Sequence, residues 1–133
     1  MANEAVIVEL LGNEGDVIEV TVADGATIEK GTLLKLSDPR TGAATSADGD
    51  ILIGIAATEK VASDGQTTLG VYTNGIFDIK DSGAGITVGL PITVGGANLV
   101  KQVAAGEAEG GTVCGYALET ASASEVIQCR IKV

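Results

Sequence analysis

Asp16-Val-Ile-Glu-Val-Thr-Val-Ala23 decides the fold class: positions 18, 20 and 22 are Ile, Val and Val, while positions 19 and 21 are Glu and Thr. A period of two gives a strand with one apolar and one wet face, and it does not match the 3.6-residue period of a helix. On either side the chain repeats the same vocabulary, short β-rich runs at 6–11, 17–22, 32–36, 51–56, 68–73, 76–80, 91–94, 99–103, 112–119 and 125–133. Between them lie turn clusters such as Gly12-Asn-Glu-Gly15, Asp24-Gly25, Asp64-Gly65 and Gly95-Gly-Ala-Asn98. This spacing predicts an all-β fold, a small single-domain β-barrel or sandwich of about ten short strands with little helix. Residues 1–11 are expected to form an N-terminal arm or a first strand, and residues 12–133 one β-rich domain.

Local signals refine that frame. Asn74-Gly75, between two β-rich runs, predicts a type I′ hairpin because both residues tolerate positive φ. If Thr120 to Ala123 join the last two strands, Glu119 faces Ser124. Cys114, Tyr116 and Leu118 then lie opposite Cys129, Ile127 and Glu125, with the two cysteines adjacent on the core face. Two reduced thiols packed as small hydrophobes are expected there rather than a disulfide. The stretch from Arg40 to Asp50 is small and polar and reads as a mobile surface loop. Val100 to Glu109 carries some helical propensity, interrupted by Gly106 and preceded by no capping box.

Composition removes whole classes of function. The 133 residues include 19 Gly, three aromatics, no Trp and no His. Without imidazole there is no Ser-His or Cys-His hydrolase and no His-bound zinc. Eight basic against 18 acidic residues, a net charge of -10, argue against nucleic-acid binding, which needs clustered Lys and Arg. Apolar residues at 45% are too many for a disordered chain. No apolar stretch approaches the length needed to span a membrane, and no cationic leader precedes a cleavage site, so synthesis in a reducing cytoplasm is expected. The charge is uneven: seven acids precede the first base, Lys30.

Tests for chemistry find little. There is no GxxxxGK[ST], since Gly25 to Thr32 has the wrong spacing and order, and Gly83-Ala-Gly85 opens no helix. Asp48-Gly49-Asp50 lacks the third acid, the central Gly and the closing Glu of a calcium loop. Glu107 with Glu109, or Glu14 with Asp16, form carboxylate pairs without an aromatic platform for a sugar. No catalytic, metal or cofactor residues are therefore assigned. Ala23 to Leu36 is similar to the Gly-x-x-Val-x-x-Gly-x-x-Leu segment of biotinyl and lipoyl carrier domains. The lysine tripeptide of those domains is absent, so the segment reads as a strand, a Gly turn and a strand entering a small barrel.

An ordered set of segments carries a further resemblance: Ile28-Glu-Lys-Gly-Thr-Leu-Leu-Lys-Leu36, Gly54-Ile-Ala56, Val71-Tyr-Thr-Asn-Gly-Ile-Phe-Asp78, Ile86-Thr-Val-Gly-Leu-Pro-Ile-Thr-Val94, Gly115-Tyr-Ala-Leu-Glu119 and Val126-Ile-Gln-Cys-Arg-Ile131. Over about residues 25–133 the chain resembles the capsid decoration, or cement, proteins of tailed bacteriophages. The resemblance implies a non-enzymatic protein on the outer surface of the virion head. It would bind the major capsid protein after expansion, as a homo-oligomer with a trimer favoured, and stiffen the shell, with no nucleic acid, membrane or cofactor involved. Ala5-Val-Ile-Val-Glu-Leu-Leu11 is apolar and β-prone. It is either an edge strand added to the capsid protein through Val6, Ile7, Val8 and Leu10, or the first strand of the chain's own sheet. Two other classes share this composition, an extracellular or surface-layer adhesion module and the carrier domain.

Overall fold

A computed structural model describes residues 2–104 and 112–133. Among these residues there are eleven strands and no helix. The stretch 100–109, with its interrupted helical propensity, begins as a strand, and its remainder from residue 105 lies outside the described residues, as do Glu107 and Glu109.

The strands close two small barrels in sequence. In the first, β2 (Ile18–Thr21), β3 (Leu33–Asp38), β4 (Thr41–Ala44), β5 (Leu52–Ala56) and β6 (Thr68–Tyr72) close in the order β2-β4-β3-β5-β6. In the second, β7 (Asn74–Asp81), β8 (Pro91–Gly96), β9 (Leu99–Gln102), β10 (Gly115–Ala117) and β11 (Val126–Lys132) run β7-β11-β10-β8-β9 and close through a β7–β9 pairing. The opening strand, β1 (Val6–Leu10), skips the barrel that follows it and pairs with β7 of the other one. A strand has two edges. On β7, β11 takes one edge from Asn74 to Lys80, while β1 (at Gly75 to Asp78) and β9 (at Lys80 and Asp81) share the other end to end.

Alternation explains the interiors. Val20 and Val22 from the opening stretch join Ile28, Leu34, Ala56, Leu69 and Val71 inside the first barrel. Ile18 departs from the expected face and lies exposed at the strand's start. β5 and the start of β3 are buried on both sides. Leu34 and Ala56 point into the first barrel, while their neighbours Leu33 and Ile55 join Phe77, Ile79, Ile92, Val94 and Ile131 in the core of the second. That two-sided burial is why Leu33-Leu34 and Leu52 to Ala56 read as unbroken apolar runs.

Polar groups fasten the seam. Asn98, fully buried in the β8–β9 turn with φ of 56°, accepts from the Leu33 N–H at 2.9 Å and donates through Nδ2 to the Ala2 carbonyl at 2.9 Å. Its own N–H donates to Thr45 Oγ1 at 3.1 Å. Gly31 supports the same junction: its carbonyl accepts from Ala5 N–H, and at φ of 90° a Cβ there would overlap the Ala5 carbonyl oxygen. Farther out, the fully buried Lys60 ammonium donates to the Asp24 carbonyl at 2.6 Å, the Val61 carbonyl at 3.2 Å and Asp64 Oδ1 at 3.0 Å, pinning two Asp-Gly turns together.

Three sequence expectations change. The stretch from Arg40 to Asp50 is not a loose loop: it contains β4 and then a turn in which the Asp50 carboxylate reaches back to accept from the Ser46 and Ala47 N–H groups. The Gly49 N–H donates to the Val94 carbonyl, and Asp48 pairs with Lys101, so the second barrel holds this turn. Asn74-Gly75 is not a hairpin turn. The chain passes from one barrel to the other at Thr73, and Gly75 is small because a Cβ would sit 2.9 Å from the Glu9 carbonyl oxygen of β1. In the C-terminal pair, Ala117 rather than Cys114 faces Cys129, and Tyr116 faces Arg130. Ala121 exchanges both backbone hydrogen bonds with Ile86, which lengthens the connection and moves the register by three residues. Both cysteines are nevertheless free, buried thiols, and burial pushes each up to about 12.

These features set three expectations. Replacing Asn98 with Ala strips buried partners from Leu33 and Ala2 and places a non-Asn residue at positive φ, costing roughly 2–4 kcal/mol in urea unfolding. Neither thiol reacts with Ellman's reagent in native protein at about pH 8, whereas both react once it is unfolded. The third concerns acid. The Gln66 N–H, then the Lys60 ammonium, hold the Asp64 carboxyl below its ordinary value of 3.8. A lowered folded-state value adds stability that is complete above the ordinary value and is lost as pH falls through the folded one. Thermal midpoints of the wild type should therefore drop from about pH 5 to about pH 2, and those of Asp64→Asn should drop less.

Candidate interaction face

Period-two alternation sends every second residue of the second barrel's sheet outward, and pairing aligns them in rows. One row crosses five strands: Glu9 on β1, Ile76 on β7, Arg130 on β11, Tyr116 on β10 and Pro91 on β8. A neighbouring row holds Val6, Asp78 and Gln128, and another holds Asn74 and Lys132. The result is a broad mixed face with apolar and charged side chains interleaved.

Its centre is fixed by hydrogen bonds. The Arg130 guanidinium donates through Nη1 to Asn74 Oδ1, to the Ile131 carbonyl at 2.8 Å and to the Gly75 carbonyl at 3.5 Å. Asn74 in turn donates through Nδ2 to Asp16 Oδ2 at 2.7 Å. The Asn74 amide, then the Asn13 N–H, hold the Asp16 carboxyl below its ordinary range, helped by Lys132 and opposed by desolvation. A groove of about 560 Å³ lies alongside, lined by Gly89, Pro91, Val113, Gly115, Tyr116, Arg130 and Lys132. Gly115 is among the lining residues, and any Cβ there would overlap the Arg130 carbonyl oxygen of the neighbouring strand. Tyr116 is 45% exposed.

The N-terminal candidates divide between the two sides of β1. Ile7 and Leu10 pack against the second barrel's core, whereas Val6 and Val8 are 60% and 43% exposed. A bulge between Ile7 and Glu9 accommodates Val8. Beyond β1, on the side away from β7, a second groove of about 340 Å³ is lined by Ala5, Val6, Ile7, Lys30, Gly31, Ile55, Ala56 and Tyr72. Sequence reasoning missed Tyr116, Arg130 and Lys132 as a group. It placed Tyr116 inward through the wrong register, and the usable clue was Gly115, which marks a close strand approach.

Chemically, these surfaces set apolar and charged side chains side by side. Both thiols are buried, Lys60 is spent on three oxygen acceptors, and among the described residues no three His, Cys, Asp or Glu converge. Apolar side chains beside an oriented Arg and an exposed Tyr are the ingredients of a protein-binding surface.

No curated protein matches the sequence. Among solved structures, the head fiber gp8.5 N base of bacteriophage phi29 shares the fold, with a TM-score of 0.54 and 19% identity over 87% of this chain and 92% of that one. The phage cement protein family matches residues 12–133, leaving only the segment that contains β1 outside. With both barrels inside that match, the chain belongs to the phage cement protein family, and it is a structural protein of the phage head.

Proposed function

We propose that the chain is a non-enzymatic cement protein that docks on the outer surface of the expanded head, binds the major capsid protein and stiffens the shell as a trimer. The observation that carries this reading is the family match across residues 12–133. The surface chemistry supports it. A shell loaded from inside is held by many shared contacts, and an oligomer that engages several capsid subunits gains avidity without one strong site. Closed barrels hide their strand edges, so this domain does not pair indiscriminately with other sheets.

β1 is the exception. Among the described residues it ends the sheet order, paired with β7 along one edge. An extended capsid segment can add along the other edge through main-chain hydrogen bonds, with its apolar side chains in the groove beside Val6, Ile55 and Tyr72. In this reading Val6 and Val8 contact the capsid, while Ile7 and Leu10 anchor the strand to its own core.

The test is co-sedimentation with expanded capsids and with unexpanded precursor shells. Wild-type protein should pellet with the former and not the latter, and should raise the temperature at which expanded heads release DNA. Because Ala5, Ile7 and Leu10 pack into the interior, substitutions at exposed positions are cleaner than a deletion. The double variant Val6→Lys, Val8→Lys should keep its circular dichroism and melting midpoint but bind expanded capsids about tenfold or more weakly, equivalent to about 1.4 kcal/mol. Unaltered binding would remove β1 from the contact; wild type that pellets with neither shell would sink the cement reading.

A further inference from the structure

We propose that the groove on β10 and β11 receives the acidic, apolar segment Glu14 to Glu19 of a second copy of this chain. The inference deepens the reading of the protein as an oligomeric cement protein and rests on it.

The groove specifies its occupant. Arg130 and Lys132 stand two residues apart on β11 and line one wall of the groove, while Tyr116, Val113 and Pro91 line the rest. The occupant therefore carries carboxylates beside small apolar side chains. This cationic spot belongs to a chain of net charge -10. Most of the excess lies in residues 1–66, which hold 12 acids and 4 bases, against 6 and 4 in residues 67–133.

That same N-terminal half displays the matching segment. In Glu14-Gly-Asp-Val-Ile-Glu19 the side chains of Val17 and Ile18 are 49% and 41% exposed and belong to neither core cluster. The exposed carboxylates of Glu14 and Glu19 flank them. Asp16 is already held by its own Asn74 and Asn13, so the flanking glutamates are the groups that reach out. Pairing of Ile18 to Thr21 with Leu69, Gly70, Val71 and Thr68 of β6 fixes the segment to the first barrel. Gly15 and Asp16 are also bonded to Thr73 and Asn74 of their own copy, so the segment is held where it stands, and its outward Glu14, Val17, Ile18 and Glu19 side chains are left for the groove of another copy. Each copy then gives one segment and accepts one.

Sedimentation velocity on the full-length protein, in about 0.05 M and about 1 M NaCl, tests this. Wild type should associate at low salt and dissociate at high salt. Lys132→Glu and Glu19→Lys, both exposed substitutions, should each weaken association about tenfold or more, and the double variant Lys132→Glu, Glu19→Lys should restore most of it. Tyr116→Ala should weaken association at both salt concentrations. A wild type that stays monomeric, or assembly indifferent to both charge reversals, overturns the proposal. So does a Lys132→Glu protein that assembles normally but no longer pellets with expanded capsids, since the groove would then face the shell. Wild type that assembles in this charge-dependent way yet ignores capsids leaves the groove contact standing and fells the cement reading instead.

Discussion

The amide of Asn98 is the constraint on which the two-barrel arrangement depends. It is a buried polar group with donors and an acceptor that must be met, and it meets them with the Leu33 N–H and the Ala2 carbonyl. Those partners are far apart in sequence, so a single side chain ties the N-terminus, the first barrel and a turn of the second. Dispersion and burial among Leu33, Leu52, Ile55 and Phe77 supply the larger share of cohesion, but they are nearly indifferent to small sliding. Directional hydrogen bonds fix the relative placement, and with it the course of β1 along β7.

That division of labour explains what could be read from the chain alone. Period-two patterning and turn residues are local, so the all-β class, most strand positions and the inward set Ile127, Cys129 and Ile131 were legible. Pairing is not local. Asn74-Gly75 has the composition of a tight turn, but its glycine answers to the backbone of β1 and its asparagine to Asp16 and Arg130. The polar stretch after Arg40 looked loose because its anchors, Val94 and Lys101, lie more than 40 residues away. The register of the last pair failed because nothing within it announces that Ala121 bonds to Ile86. For the same reason the run at Val6 to Leu10 was visible as β-prone, whereas the grouping of Tyr116 with Arg130 was not.

Charge is organised by the same logic. The acids of Asp24, Asp50 and Asp64 are built into turns, where they accept backbone N–H groups, while the buried Lys60 serves as a crosslink between two of these turns. Solvated acids such as Glu9, Glu14 and Glu19 remain to keep the particle soluble and to discriminate between partners. A fold with few aromatic residues thus spends many of its polar side chains on architecture.

The placement of β1 and β11 on either side of β7 has a mechanical meaning. Both run antiparallel to β7, so they run parallel to each other, with the start of β1 near Asp78 and the end of β11 near Asn74. Tension drawn between those two points acts along the strands and across the hydrogen bonds, which must then rupture together instead of one after another. A peeling geometry fails at low force; a shearing geometry does not. The strand order therefore makes the second barrel a clasp that resists being pulled apart along its length.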